Sequence, residues 1–187
     1  LLELVDNNPG IHADARDDGR RTALMWAAHH GHEEILKLLL TRSDVKRNKW
    51  CTRGDTALSC AARQGQTSLV ELLLEPGKEK EQCLKGNNFW ERAHIQAVLE
   101  GHSDVARVLY RWDTESIHEE TMFGSWPVHF AVQRRPVSVV KLLVEEYNVD
   151  ADIEDPKGYS PFTVAVDWGN EEVVRYFLEE RRAQLES

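Results

Sequence analysis

Three histidines in a short stretch, His29, His30 and His32, are the residues best suited to bind a metal ion. Imidazole nitrogen is a common zinc ligand, but a zinc site needs three or four convergent donors. His29 and His30 are sequence neighbours at the predicted end of a helix, so their rings point in different directions. No carboxylate or cysteine spacing completes a ligand set. The sequence therefore predicts neither a metal site nor a cofactor.

Motifs for catalysis are missing from the sequence. It contains no nucleophile elbow, no HExxH, no phosphate-binding loop and no GxGxxG. Paired acids occur at Glu33-Glu34, Glu145-Glu146, Glu171-Glu172 and Glu179-Glu180. They fall on the polar sides of amphipathic segments and are interpreted as solvated charge. We therefore expect no enzyme activity.

The cysteines and the charge indicate the compartment and exclude some partners. Cys51, Cys60 and Cys83 are odd in number and lack CxxC spacing, which favours reduced thiols in an intracellular protein, cytoplasmic or nuclear. The formal net charge of −9 opposes binding to nucleic acid. The sequence contains no run of about 18 apolar residues, so it predicts no membrane span.

The stretch from Thr22 to Leu40 predicts a pair of short helices. Thr22 can cap the first helix through its hydroxyl, and the following apolar residues have helical spacing. Gly31 ends that helix, because glycine adopts the left-handed conformation at little cost. A second amphipathic helix follows, from Ile35 onward. Two such helices are too small to bury their own apolar faces.

The same pattern recurs at intervals of 34 to 36 residues, starting again at Thr56, Arg92, Trp126 and Ser160. It resembles the ankyrin repeat, whose signature opens Thr-Pro-Leu-His-x-Ala and closes with Gly-His. The resemblance covers nearly the whole chain. It implies an all-α, ankyrin-repeat solenoid of helix-turn-helix units joined by β-hairpins, in which each unit packs only on its neighbours.

The spacing predicts one domain over residues 1–187, with about five repeats after a truncated one, in what reads as a piece of a longer chain. The expected boundaries are 1–14, 15–48, 49–84, 85–118, 119–152 and 153–187. Gly19 precedes Arg20 where the family has its glycine, so the hairpin there is expected to shift by one residue. The third unit loses its helix cap at Arg92.

The resemblance also predicts which residues face a partner: the hairpin tips and the two residues before each loop glycine. His32 and His129 match structural histidines of the motif and are expected to bond to backbone. The predicted partner-binding residues are Arg21, His29, His30, Trp50, Arg53, Arg63, Phe89, Leu99, Met122, Phe123, Arg134, Lys157, Tyr159, Asp167 and Trp168.

Two surfaces stand out in this set. Large apolar side chains from the third to fifth units, such as Phe123 and Trp168, predict a groove edged by Arg134, Lys157 and Asp167 that holds a protein segment. The alternative is that half of them pack against adjacent hairpins, in which case their loss would unfold the chain. The second surface is the basic loop before Arg53, with Trp50 near its tip, which is either a solvated loop or a partner anchor.

These features favour a monomeric protein-interaction module, a scaffold or adaptor part that binds another protein or another domain of its parent chain on a concave face. A second hypothesis is that the same groove serves a small molecule or a reaction, which would require a deep cavity with convergent polar groups. A third is a passive spacer in a large receptor or scaffold.

Overall fold

The computed structural model describes residues 12–74, 93–118, 125–134 and 137–186, and these residues contain helices and turns but no β-strand. The all-α prediction is confirmed. The chain divides into two compact units, Leu1–Ala93 (unit 1) and His94–Ser187 (unit 2). The predicted single domain and the exact repeat boundaries stay predictions. The truncated first repeat, the long insertion around residues 75–88 and the weakened cap at Arg92 lie outside the described residues, except for residues 12–14.

The described part of unit 1 contains two pairs of antiparallel helices. They are α1 (Ala23–His30), α2 (Glu33–Leu40), α3 (Ala57–Arg63) and α4 (Thr67–Leu74). Helix α1 packs on α2 within its pair and on α3 of the next pair, and α4 packs on α2. The core between them consists of leucine and alanine side chains such as Leu24, Ala28, Leu36 and Ala61, all at most 1% exposed.

Unit 2 contains the remaining elements. They are α5 (Ala93–Glu100), α6 (Ser103–Trp112), a 3-10 turn (Glu115–His118), α7 (Pro127–Ala131), α8 (Ser138–Lys141) continuing as a π turn (Leu142–Glu146), α9 (Pro161–Asp167) and α10 (Glu171–Glu186). Helix α9 packs on both α7 and α10, and α8 packs on both α6 and α7. Pro127 and Pro161 each occupy the first turn of a helix, where the missing N–H costs nothing.

In three repeats, a side-chain hydroxyl caps the start of the first helix of the pair. The Thr22 Oγ1 accepts the Met25 N–H, and the Ser160 Oγ accepts the Thr163 N–H at 3.3 Å. Thr56 and Ser59 form a reciprocal pair, in which each backbone N–H donates to the hydroxyl of the other residue. The cap predicted for Thr22 is confirmed, and each such cap typically stabilises a helix by about 1 kcal/mol.

Glycines end four of the first helices with one geometry. Gly31, Gly65, Gly101 and Gly169 all have positive φ, between 64° and 78°. The N–H of the residue after each glycine bonds back across the helix end; at Gly31 this is the His32 N–H to the Ala27 carbonyl, 2.9 Å. This is the bond pattern of a helix that ends on a left-handed residue, and it turns the chain directly into the second helix.

Three of the connections between repeats contain a five-residue turn, at residues 17–21, 51–55 and 155–159. In the first of them the Asp17 N–H donates to the Arg21 carbonyl and the Arg20 N–H donates to the Asp17 carbonyl. Residues 51–55 and 155–159 repeat both bonds, with Gly54 and Gly158 in the left-handed fourth position. Arg20 holds that position in the first turn, with φ of 59°. The predicted one-residue shift is therefore wrong: the turn keeps its register, and Arg20 adopts the left-handed conformation instead.

One repeated position shows which of the helices that come first in their repeats have a buried face. Ala28, Ala62, Val98 and Val132 occupy equivalent places in successive first helices and are 0–1% exposed. Val166 is the fifth member of this series and is 55% exposed. Leu178, on the following helix, is also 55% exposed. The last repeat therefore presents an apolar face that the earlier repeats bury.

Replacing Arg20 by glycine should raise the free energy of unfolding by about 0.5–1 kcal/mol. A side chain in the left-handed region costs about 1–2 kcal/mol, and the greater flexibility of glycine in the unfolded chain offsets part of the gain from removing it. Chemical denaturation of the full chain measures the change. Arg20→Ala is the control, since it removes the same side chain but keeps the Cβ; equal stabilisation by both variants would contradict the explanation.

Val132→Ala should lower the free energy of unfolding by about 2 kcal/mol, because it removes two buried methyl groups. Val166→Ala is the matched substitution at the exposed end of the same series and should change it by less than about 0.5 kcal/mol. The two variants are compared by denaturant titration. A similar loss for both would mean that Val166 is covered in solution.

Candidate functional site

A row of stacked side chains lies along α1 in unit 1. The Arg21 guanidinium lies 4.6 Å from the centre of the Trp26 ring. The Trp26 and His30 rings stack at 5.6 Å and 7°, and His30 stacks in turn on His32 at 5.7 Å. Trp26 remains 37% exposed, and its indole N–H donates to the Asp17 carboxylate, 3.1 Å. Helical spacing of Trp26 and His30 places both rings on one side of α1.

A buried carboxylate holds two arginines beside this row. Asp55 Oδ2 accepts from an Arg53 terminal nitrogen at 2.8 Å and from an Arg63 terminal nitrogen at 2.7 Å. The Asp55 side chain is 4% exposed, whereas that of Arg53 is 61% exposed. The charge of Asp55 therefore fixes the position of Arg63 and orients Arg53 while leaving much of Arg53 in solvent.

His29 lies between these two groups of side chains. Its Nδ1 is 3.5 Å from the Gln64 side-chain amide, and its ring packs edge-on against those of Trp26 and His30. Burial is the main cause that lowers the pKa of His29, and the charges of His30, Arg63, Arg21 and Arg53 lower it further. The three arginines and His30 therefore lie close enough to the His29 imidazole for their charges to lower its pKa.

We call Arg21, Trp26, His29, His30, Arg53 and Arg63 the variable face of unit 1. Five of them are among the predicted partner-binding residues, so the structure brings those five together. Trp26 was missed. It lies four residues before His30, at the variable position of the motif, and that spacing could have identified it.

The basic loop after α2 is partly neutralised. Arg42 pairs with Asp44 at 2.8 Å, and Lys49 pairs with Asp14 at 2.6 Å. Trp50 is 42% exposed. The loop therefore presents an indole on a backbone that ion pairs hold, which leaves both the solvated-loop and the partner-anchor hypotheses open.

The thiols and imidazoles of unit 1 are not arranged as a metal centre. Cys51 and Cys60 are free and buried, and burial raises the pKa of the Cys60 thiol to about 11. Cys83 lies outside the described residues. Within the ranges that the structure describes, no group of three His, Cys, Asp or Glu side chains is placed to hold a metal ion.

In unit 2 we call the predicted residues that the structure describes, Leu99, Arg134, Lys157, Tyr159, Asp167 and Trp168, the variable face of unit 2. Tyr159 is 47% exposed at the tip of the turn 155–159, and Trp168 is 60% exposed at the end of α9. Lys157 and Asp167 are exposed beside them in sequence, Arg134 is exposed after α7, and Leu99 is half-buried at the end of α5. Phe89, Met122 and Phe123 lie outside the described residues, and they are half of the six large apolar residues of the predicted groove.

His129 holds the turn that carries Tyr159. Its Nε2 lies 3.0 Å from the Tyr159 carbonyl, and its Nδ1 lies 3.4 Å from the Trp126 backbone N–H. A carbonyl only accepts, so Nε2 donates and Nδ1 accepts, which is the neutral form of the ring. The expectation that His129 is a structural group is confirmed.

Asn170 connects the helix that carries Trp168 to the preceding repeat. Its buried Nδ2 donates to the carbonyls of Val132 at 2.9 Å and Arg134 at 2.8 Å. These carbonyls lie just beyond the end of α7, where backbone acceptors lack helical partners. The side chain therefore satisfies two acceptors and fixes the start of α10.

The expectation for His32, which stands at the position equivalent to Asn170, is wrong. Its ring is exposed and stacks on His30, and it makes no side-chain bond to backbone within the described part of unit 1. The exposed imidazole of His30 offers the His32 ring a stacking partner. At the equivalent position of unit 2, the shorter amide side chain of Asn170 bonds to backbone carbonyls.

The paired acids whose side chains are described, all except Glu180, lie on the surface, as predicted, and several form ion pairs. Glu33 and Glu34 both bond Lys37, at 2.8 and 2.9 Å. Glu146 pairs with Arg107 of α6, and Glu171 pairs with Arg175. Surface pairs of this kind contribute little to stability.

A surface cavity of about 400 Å³ lies along α10. Its lining is Glu171, Val174, Arg175, Leu178 and Glu179. All of these side chains come from a single helix, and none belongs to either variable face. Across the described helices, none is long and apolar enough to cross a membrane.

Capped first helices, glycine turns, antiparallel second helices and tight connecting turns together define a helix-turn-helix repeat protein. A family profile described as "Ankyrin repeats (3 copies)" matches residues 1–83 and 94–187. The chain therefore belongs to the ankyrin-repeat family.

Several relatives share parts of this sequence. The "26S proteasome non-ATPase regulatory subunit 10" of Dictyostelium discoideum is 37% identical over 81 residues, which is 42% of this chain and 35% of the relative. The "Ankyrin repeat and SAM domain-containing protein 6" of Danio rerio is 27% identical, over 88% of this chain and 25% of its own length. The "Target of rapamycin complex 2 subunit AVO2" of Saccharomyces cerevisiae is 25% identical, over 87% and 38%. The chain thus spans about a quarter to two fifths of these relatives.

The stability of the chain should fall as the pH drops below about 6.5, and His129 should contribute to the fall. Burial lowers the pKa of His129 in the folded state from its ordinary value of 6.5. The unfolded state then binds a proton that the folded state does not, so acid favours unfolding. Denaturant titrations between pH 7.5 and 5.5 measure the slope, which should be shallower for His129→Asn. Equal slopes would contradict this assignment.

Proposed function

We propose that this chain is a protein-interaction module that presents its two variable faces to another protein or to another domain of its parent chain, as part of a scaffold or adaptor. The observation that carries the proposal is the exposure of Trp168 and Tyr159 on elements that buried hydrogen bonds hold in place. A large aromatic side chain that is already fixed loses little entropy when a partner covers it.

The printed names of the relatives support the same proposal. The Dictyostelium protein is a proteasome regulatory subunit and the yeast protein is a subunit of a target of rapamycin complex. Each name describes a component of a protein assembly. A fold shared with them does not transfer their partners to this chain.

Exposed aromatic groups also separate this proposal from its alternatives. A passive spacer has no need of an indole that is 60% exposed. A small-molecule site would place polar groups from several elements around a cavity, whereas the cavity along α10 is lined by one helix.

We further infer that the module acts without catalysis, as a monomer, on a protein and not on nucleic acid or membrane. The net charge of −9 supports the exclusion of nucleic acid. The free, buried thiols of Cys51 and Cys60 support an intracellular location, cytoplasmic or nuclear.

The Trp168→Ala/Tyr159→Ala variant should keep its fold and lose its partner. Its free energy of unfolding should change by less than about 1 kcal/mol, since both side chains are exposed. Proteins captured by the immobilised full chain from a cell lysate, quantified by mass spectrometry, should fall by at least about tenfold. The loss of folding in this variant would instead support packing of these rings against the scaffold.

Leu178→Ala is the matched control, because Leu178 is also a large exposed apolar residue but lies on α10. It should capture the same proteins as the wild type. An equal loss in the control and the double variant would show non-specific adhesion, and no loss in either would contradict the proposed use of this face.

A further inference from the structure

The charge of the chain is distributed unevenly. Residues 12–74 contain ten Lys and Arg against eight Asp and Glu, a formal charge of +2. Residues 93–187 contain nine Lys and Arg against eighteen Asp and Glu, a formal charge of −9. Residues 1–93 as a whole contain fourteen Lys and Arg against fourteen Asp and Glu, so the acidity of the protein lies in residues 94–187, and the segment 12–74 carries a small excess of cations.

Three of the arginines in this segment have fixed positions on the variable face of unit 1. Arg21 is fixed on the indole of Trp26, and Arg53 and Arg63 are fixed on the buried Asp55. Two acids, Asp17 and Asp55, lie among these arginines: Asp17 accepts the Trp26 indole N–H, and Asp55 accepts from both guanidinium groups, so three arginines stand against two acids. Guanidinium groups held in this way suit carboxylates, which accept from them in directed pairs.

An apolar contact surface accompanies the cations. Trp26 is 37% exposed, and its ring forms one stack with His30 and His32. The stack and the ion pairs order these side chains before any ligand arrives, so little further entropy is lost on binding. A ligand that matches both features has acidic side chains and an aromatic or aliphatic side chain close to them.

We propose that the variable face of unit 1 binds an acidic peptide segment, whose carboxylates pair with Arg21 and Arg53 while one of its apolar side chains packs against Trp26. The inference rests on the proposed function, because it names the kind of protein segment that one of the two faces takes. The face offers cations at fixed spacing rather than a uniform basic surface, which favours a peptide over an extended polyanion.

Fluorescence anisotropy of a labelled twelve-residue peptide of alternating Glu and Leu, titrated with the full chain, tests the proposal. Binding should be saturable and should weaken as salt is added. Arg53→Gln and Trp26→Ala should each weaken it by about tenfold, the effect of losing one charge-assisted or central aromatic contact. Replacement of the peptide's Glu by Gln should abolish binding.

Lys46→Gln is the matched control, because Lys46 is exposed in the same region and the substitution removes the same charge, but it lies off the variable face. Lys46→Gln should bind like the wild type, and thermal unfolding should show that every variant is folded. Equal weakening by Lys46→Gln and Arg53→Gln would overturn the proposal in favour of general electrostatic attraction.

Two further outcomes would also overturn it. Equally tight binding of heparin or of a single-stranded oligonucleotide would assign a polyanion site, and concentration-dependent self-association that competes with the peptide would assign the acidic residues of a second copy as the occupant. If the peptide fails to bind while Trp168 and Tyr159 are still required for partner capture, this inference fails and the proposed function stands.

Discussion

Burial of one repeat's apolar face by the next is the constraint on which the rest of the structure depends. A pair of helices of eight residues or so has too little interior to be stable alone. Where the position of Ala28 recurs, at Ala62, Val98 and Val132, it is at most 1% exposed. At Val166 the burial ends. Stability therefore accumulates from repeat to repeat, and the outward positions contribute little to it.

Buried polar contacts then set the positions of the repeats more finely than apolar packing can. His129 bonds the turn that carries Tyr159, and Asn170 bonds two carbonyls beyond the end of α7. In unit 1, buried Asp55 fixes two arginine side chains of its own repeat. Each contact is directional and costly to break when buried, so it fixes geometry where packing alone would tolerate sliding.

A rigid frame of this kind frees the outward positions for recognition. In unit 2 these positions carry large aromatic rings, whereas in unit 1 they carry arginines, histidines and one indole. The two units thus present different chemistry on the same scaffold, which is how one architecture can select different segments of a partner.

The repeat period, the helix pairs, the hydroxyl caps and the glycine ends followed from the sequence alone, because each depends on local chemistry that spacing reveals. Thr22, Gly31 and His129 behave as their motif positions predict. The tertiary structure alone decided what depends on neighbours. Arg20 keeps the register of a turn that the early glycine was expected to shift. Val166 is exposed although the equivalent position is buried in the earlier repeats, because exposure is set by what packs against a position and not by its place in the repeat.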